Sequence, residues 1–186
     1  MKRAWLAVIA SIALPAGAVT PSPPVSVGEA RSSLTGTWQG QLEYLDYTAN
    51  KWFGIPVTVT IELLSDGVTT IRRSTFDDRP KVGMVLITSI ELLNRTQSTV
   101  TIGGFRKGRT PELMTYSVTM VGSGAGARYW RMIEIARSTD DDRPAMLRLT
   151  TVRNDGSIET LKEVDFLDDD KDEWLKRNRT RLTLVK

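Results

Sequence analysis

Residues 53–63 read FGIPVTVTIEL. Every odd position in this run is apolar, and Gly54, Pro56, Thr58, Thr60 and Glu62 fill the even ones. Successive side chains of an extended strand point to opposite faces, so a period of two describes a strand with one buried face and one wet face. A helix would instead space its apolar residues three and four apart.

The alternation continues on both sides. In TWQGQLEYL (residues 37–45), Trp38, Gly40, Leu42 and Tyr44 share one face, and Thr37, Gln39, Gln41 and Glu43 the other. The pattern returns in VGMVLITSIEL (82–92), STVTI (98–102), LMTYSVTMV (113–121), ARYWRMIEIA (127–136), MLRLTTV (146–152), SIETLKEVDF (157–166) and RLTLV (181–185). Between the runs stand SDG (65–67), GSGAG (122–126) and NDG (154–156), whose residues tolerate the positive φ of tight hairpins. Short strands on local hairpins, with no long crossover, predict an all-β fold, an antiparallel up-and-down β-barrel of about 8–10 strands. Closure also removes the sheet edges that invite aggregation. One short helix is expected before the last strand, in DDDKDEWLKRN (168–178), which starts with acids and carries Lys176 and Arg177 near its end as the helix dipole favours.

A near-duplicate interrupts the alternation: RSTFDDRP at 73–80 and RSTDDDRP at 137–144. Each follows one strand-like run and precedes another. Asp accepts from turn amides and Pro ends strand pairing, so the octets read as one turn solution used twice, four strands apart and therefore at the same end of the barrel. A sharper reading makes Asp77, Asp78, Asp140, Asp141 and Asp142 an acidic rim for Ca²⁺ or a cationic ligand. Arg79 and Arg143, in the same turns, oppose it, and no metal site is assigned.

The N-terminus reads differently. Lys2 and Arg3 precede the apolar run AWLAVIASIAL (4–14), followed by Pro15 and AGA (16–18), the layout of a cleavable secretory signal over residues 1–18. Residues 19–32, containing PSPP (21–24), read as a flexible linker, and the domain is expected over 33–186. The protein is then periplasmic or secreted. Cleavage leaves 23 basic residues against 22 acidic ones, too even for nucleic acid, and no later run is long enough for membrane insertion.

The chain has no His and no Cys. Ser-His-Asp and Cys-His catalysis, His-ligated haem and nearly all zinc sites are excluded, no disulfide can form, and no cofactor is expected. Carboxylate acid–base chemistry needs two facing acids. Glu134 shares a face with Trp130 and Met132, but a pair with an arginine such as Arg148 accounts for it, so an enzyme is not expected and no catalytic residue is assigned.

SLTGTWQGQLEY (33–44) resembles the first strand of the calycin barrels, the lipocalins and avidins, through Gly36, Thr37 and Trp38 in a Gly-x-Trp motif. The mature chain as a whole is similar to uncharacterised lipocalin-like proteins exported by bacteria. The resemblance implies that Trp38 closes one end of the barrel beneath an arginine of the last strand, Arg179 or Arg181. The lipocalin Thr-Asp-Tyr motif is absent, and biotin binding is not carried over.

Small barrels either fill with side chains or enclose one ligand. Trp130, Met132, Met114, Tyr116, Met84 and Leu86 are the candidate interior residues, able to line a cavity for a small lipophilic molecule or to make an ordinary core. The alternative to ligand binding is a filled barrel serving as a non-catalytic envelope interaction or structural module, its protein partner open.

Overall fold

The structure, a computed structural model, describes residues 24–123 and 126–185. Among these residues there are one short helix and ten strands: α1 (Val27–Ser32), β1 (Gly36–Asp46), β2 (Lys51–Leu63), β3 (Thr69–Asp78), β4 (Gly83–Asn94), β5 (Thr99–Arg106), β6 (Glu112–Ser123), β7 (Tyr129–Asp140), β8 (Arg143–Asn154), β9 (Ser157–Phe166) and β10 (Leu175–Leu184). Each strand pairs antiparallel with the next, and β10 pairs with β1 to close the barrel. The all-β up-and-down barrel expected from the period-two runs is the fold.

FGIPVTVTIEL lies in β2, where Val57, Val59 and Ile61 are buried and face the lumen. They pair with Gly40, Trp38 and Gly36 of β1, so the two opening runs form one inner face. Gly40 is required by close approach: a Cβ there would stand 1.9 Å from the Arg181 carbonyl oxygen of β10. Gly36 has φ +135°, a conformation that L side chains rarely adopt.

The two octets fall at the same end of the barrel, but they build different turns. In the first, Asp78 pairs with Gly83 and residues 79–82 form the connection. In the second, Asp140 pairs with Arg143, leaving a two-residue loop of Asp141 (φ 50°) and Asp142 (φ 60°). Two successive left-handed residues match the right-handed twist of a hairpin, and Asp tolerates that region. Arg143 and Pro144 thus lie inside β8, whereas Arg79 and Pro80 lie outside any strand. One wording serves two geometries because the flanking strands start in different registers.

The short helix stands before the first strand, as α1, and before the last strand residues 167–170 form a turn and a bend and 171–174 are irregular. The acids there have other partners: Asp168 accepts from Arg143 Nε at 2.9 Å, Asp169 Oδ1 from the Lys171 amide at 3.1 Å and Asp165 Oδ1 from the Glu173 amide at 3.3 Å. Trp174 lies under Arg148, 4.0 Å from guanidinium carbon to ring centroid.

The end of the proposed linker is also corrected, because Val25, Ala30, Arg31 and Leu34 are buried. Ser26 caps α1, its Oγ accepting from the Glu29 amide at 3.2 Å while the Glu29 carboxylate accepts from the Ser26 amide at 2.9 Å. The proposed signal segment, 1–18, lies outside the described residues.

Candidate functional site

The lumen has three levels. At its floor, α1 plugs the barrel and joins a core of Trp38, Val59, Val100, Trp130 and Met132. Trp38 is fully buried and its Nε1 donates to the Leu34 carbonyl at 2.8 Å. Trp130 Nε1 donates to the Ala127 carbonyl at 3.0 Å and to Ser33 Oγ at 3.2 Å. Both indoles therefore bury their rings and satisfy their single donors on the segments flanking β1 and β7.

An arginine does face Trp38, but it is Arg153 of β8, 5.4 Å from the ring centroid. Arg179 and Arg181 occupy outward positions of β10 and both bond Glu43 of β1 at 2.6 Å. Side chains two apart on a strand share a face, so these two arginines leave the lumen together. Burial opposes ionisation of Glu43, yet the two guanidiniums hold its carboxyl below the ordinary range. Arg179 also lies over Trp52 at 4.3 Å.

The middle level is charged. Arg31 reaches from α1 into the barrel, where Nη1 donates to Glu134 at 3.1 Å and Nη2 to Glu91. Arg72 of β3 donates from Nε to the other Glu91 oxygen at 3.1 Å. Both carboxylates are buried, so each pays a desolvation cost that only close cations offset. At Glu134 burial prevails, and its carboxyl is pushed up despite Arg31, with the Glu91 charge adding to the rise. At Glu91 burial is outweighed by Arg72 and Arg31, which hold the carboxyl down. Tyr116, buried nearby, has its hydroxyl pushed up to about 12 by burial and then by the Glu134 and Glu112 charges.

A cavity of about 240 Å³ opens beside this cluster. Ile102, Met132, Leu149 and Leu182 supply apolar wall, and Ser89, Thr151, Thr160 and Thr180 supply hydroxyls. A larger depression of about 770 Å³ lies over β9, β10 and β1 around Gln41, Glu159 and Arg181, but it is a groove on the outer wall, lined mainly by outward-facing side chains. The lumen carries the buried charge, and it is the candidate site.

At the mouth, Asp140 is held by Lys162 at 2.8 Å and by Arg177, which also bonds Asp141. Burial works against the Asp140 charge, and these two cations hold its carboxyl below the ordinary range. Asp77 is taken by Arg79 at 2.7 Å. Three of the five acids of the repeated octets, Asp77, Asp140 and Asp141, thus face arginine or lysine. Among the described residues, no three acidic side chains gather as a metal cage.

Of the six residues expected inside, four are there. Trp130 belongs to the floor, Met132 lines the cavity, Tyr116 is buried beside the charged cluster, and Met114 packs against a second cluster of Ala145, Leu147, Val164 and Phe166 near the mouth. Met84 and Leu86 lie outside, 57% and 58% exposed. Their strand is apolar on both faces, so periodicity alone leaves its parity open. Glu91 and Leu93 turn inward on β4, which puts the even positions in solvent. Glu134 faces inward as read, but its partner is Arg31; Arg148 bonds Glu163 at 2.9 Å on the outer wall.

No protein-family model matches the chain, and no curated protein matches it. Among solved structures it is similar to Rv2717c from M. tuberculosis at 9% identity, covering 87% of this chain and 99% of that one with a TM-score of 0.59. A protein of unknown function from the DUF3598 family of Nostoc punctiforme PCC 73102 aligns at 10% identity over 87% of this chain and all of that one, with a TM-score of 0.27. The first likeness is one of fold. The chain is a closed ten-stranded antiparallel barrel with a structural neighbour in Rv2717c.

Proposed function

We propose that this chain is a non-catalytic, exported binding barrel that takes one small molecule into its lumen, as the calycin-like first strand suggests. The observation that carries the reading is the central cavity of about 240 Å³. At about 30 Å³ per water, this is room for roughly eight waters, or a ligand on the order of ten non-hydrogen atoms. The expected lipophilic ligand is narrowed accordingly. Ile102, Leu149 and Leu182 suit an apolar body, while the Ser89 and Thr151 hydroxyls and the charged cluster would leave polar groups unsatisfied against a pure hydrocarbon. The favoured ligand is small and amphipathic.

Binding is preferred to catalysis because Glu91 and Glu134, the buried acids that line the cavity, are both engaged by Arg31. A general acid or base needs a free approach to its substrate. The alternative, a filled barrel acting as an envelope interaction or structural module, is favoured by the closely packed floor. Export itself is read from residues 2–18.

Native mass spectrometry of protein purified from its own compartment, before and after delipidation, tests the reading. An adduct of small mass that disappears on extraction is expected. Protein that arrives without adduct, and whose Met132 methyl resonance is unmoved by a library of small amphipathic fragments, would transfer the assignment to the filled barrel.

A further inference from the structure

Seven of the thirteen large apolar side chains exposed among the described residues fall between Val82 and Leu113. The register gathers most of them on one outer face. Met84, Leu86, Ile90 and Leu92 follow one another along the outside of β4. Ile90 pairs with Gly103, which pairs with Leu113, and Phe105 pairs with Thr88. Gly103 has no side chain of its own, and a Cβ there would lie 3.5 Å from the Phe105 ring and 3.7 Å from Leu113. Phe105 and Leu113 therefore cover the backbone between them, with Leu113 still 77% exposed. A contiguous apolar face on an otherwise polar barrel marks a surface that something covers.

The charges beside it indicate what. The hairpin connections at residues 79–82 and 107–111 flank the patch at the mouth end of the barrel. They carry Arg79, Lys81, Lys107 and Arg109, while Arg106, at the end of β5, pairs with the inward-facing Ile87 and points to the mouth of the lumen. Arg79 is taken by Asp77, while Lys81, Lys107 and Arg109 form no ion pair among the described residues. With the signal segment removed, the remaining charges nearly balance, so this local excess of cations is a feature of one face and not of the whole surface.

We propose that the outer face of β4–β6, with its two basic hairpins, docks on an anionic phospholipid bilayer. Leu86, Phe105 and Leu113 would enter the acyl boundary while Lys81, Lys107 and Arg109 meet lipid phosphates. Interfacial anchoring of this kind combines buried apolar area with attraction to anionic headgroups, and each cation near such a surface strengthens binding about fivefold.

Co-sedimentation of the mature full-length chain with vesicles tests this. Binding is expected to vesicles of mixed phosphatidylglycerol and phosphatidylcholine, to weaken with salt, and to be much weaker on phosphatidylcholine alone. The variant Phe105→Asp/Leu113→Asp should lose it, and Lys107→Glu/Arg109→Glu should reduce it more than tenfold by loss of two cations and gain of two like charges. Both pairs are exposed, and unchanged far-ultraviolet dichroism would show the barrel intact. No binding by the native chain, or equal binding by native and both variants, overturns the proposal. So does a concentration-dependent dimer in sedimentation velocity that Leu113→Asp abolishes, since a second copy would then cover the face.

Discussion

Arg31 stands between two buried carboxylates that respond to it differently. Glu91 has a second cation in contact, Arg72, whereas Glu134 is in contact with Arg31 alone, feels Arg72 only at longer range and has the field of Glu91 against it. Replacing Glu91 by Gln strips two guanidiniums of their shared counter-charge, and a loss of about 3 kcal/mol is expected in urea denaturation at neutral pH. Glu134→Gln keeps an acceptor for Arg31 and removes a charge that burial penalises, so it should cost under about 1 kcal/mol or stabilise. The sign of the pH effect separates the pair. The native state holds the Glu134 proton more tightly than the unfolded chain does, so its contribution declines as pH rises from 4.5 through the raised native value. Stability of Glu134→Gln measured over that range should lack this decline, and an unchanged slope would contradict the assignment. Glu134 was visible in the sequence as an acid on an apolar face, but Arg31 was not, because 103 residues separate them and only closure brings them together.

α1 is six residues long, below the length at which an isolated helix persists in water. Its stability comes from the Ser26–Glu29 capping box and from Ala30 packed into the floor. Ser26→Ala is expected to cost about 1 kcal/mol in thermal denaturation. Because the same helix carries Arg31, amide exchange should also accelerate around Glu91 and Glu134, and acceleration confined to 26–33 would show the plug and the cluster to be independent. The signal for this helix was in the chain, as Ser-x-x-Glu followed by Ala30 and Leu34, yet the proline-rich stretch before it favoured reading a tether. The acids at 168–172 pulled the other way, towards a helix before β10. Their dipole-like charge order was real, but Arg143 and local amides claimed the carboxylates. Charge order at a helix end counts for little where no apolar face needs covering.

At the scale of the whole barrel, Glu43, Glu91 and Asp140 each have native carboxyls held below their ordinary values of 4.5, 4.5 and 3.8. Groups of this kind contribute stability above their unfolded values that is lost as pH falls through the native ones, so the midpoint of thermal unfolding should drop steeply below about pH 4. Asp140→Asn should make that acid limb shallower; an identical limb would remove the Asp140–Lys162–Arg177 cluster from the account. What the sequence determined by itself was a set of features fixed by neighbours along the chain: the strands, because a period of two has one physical meaning; the order of hairpins, because Asn, Asp and Gly mark their turns; and the absence of His and Cys chemistry, because composition excludes it. Tertiary structure alone decided which face of β4 turned inward, which arginine met Trp38, and which cation neutralised Glu134. Those choices are made between residues distant in sequence, where a two-faced apolar strand or a surplus of arginines leaves several local solutions nearly equal, and only closing the cylinder selects among them.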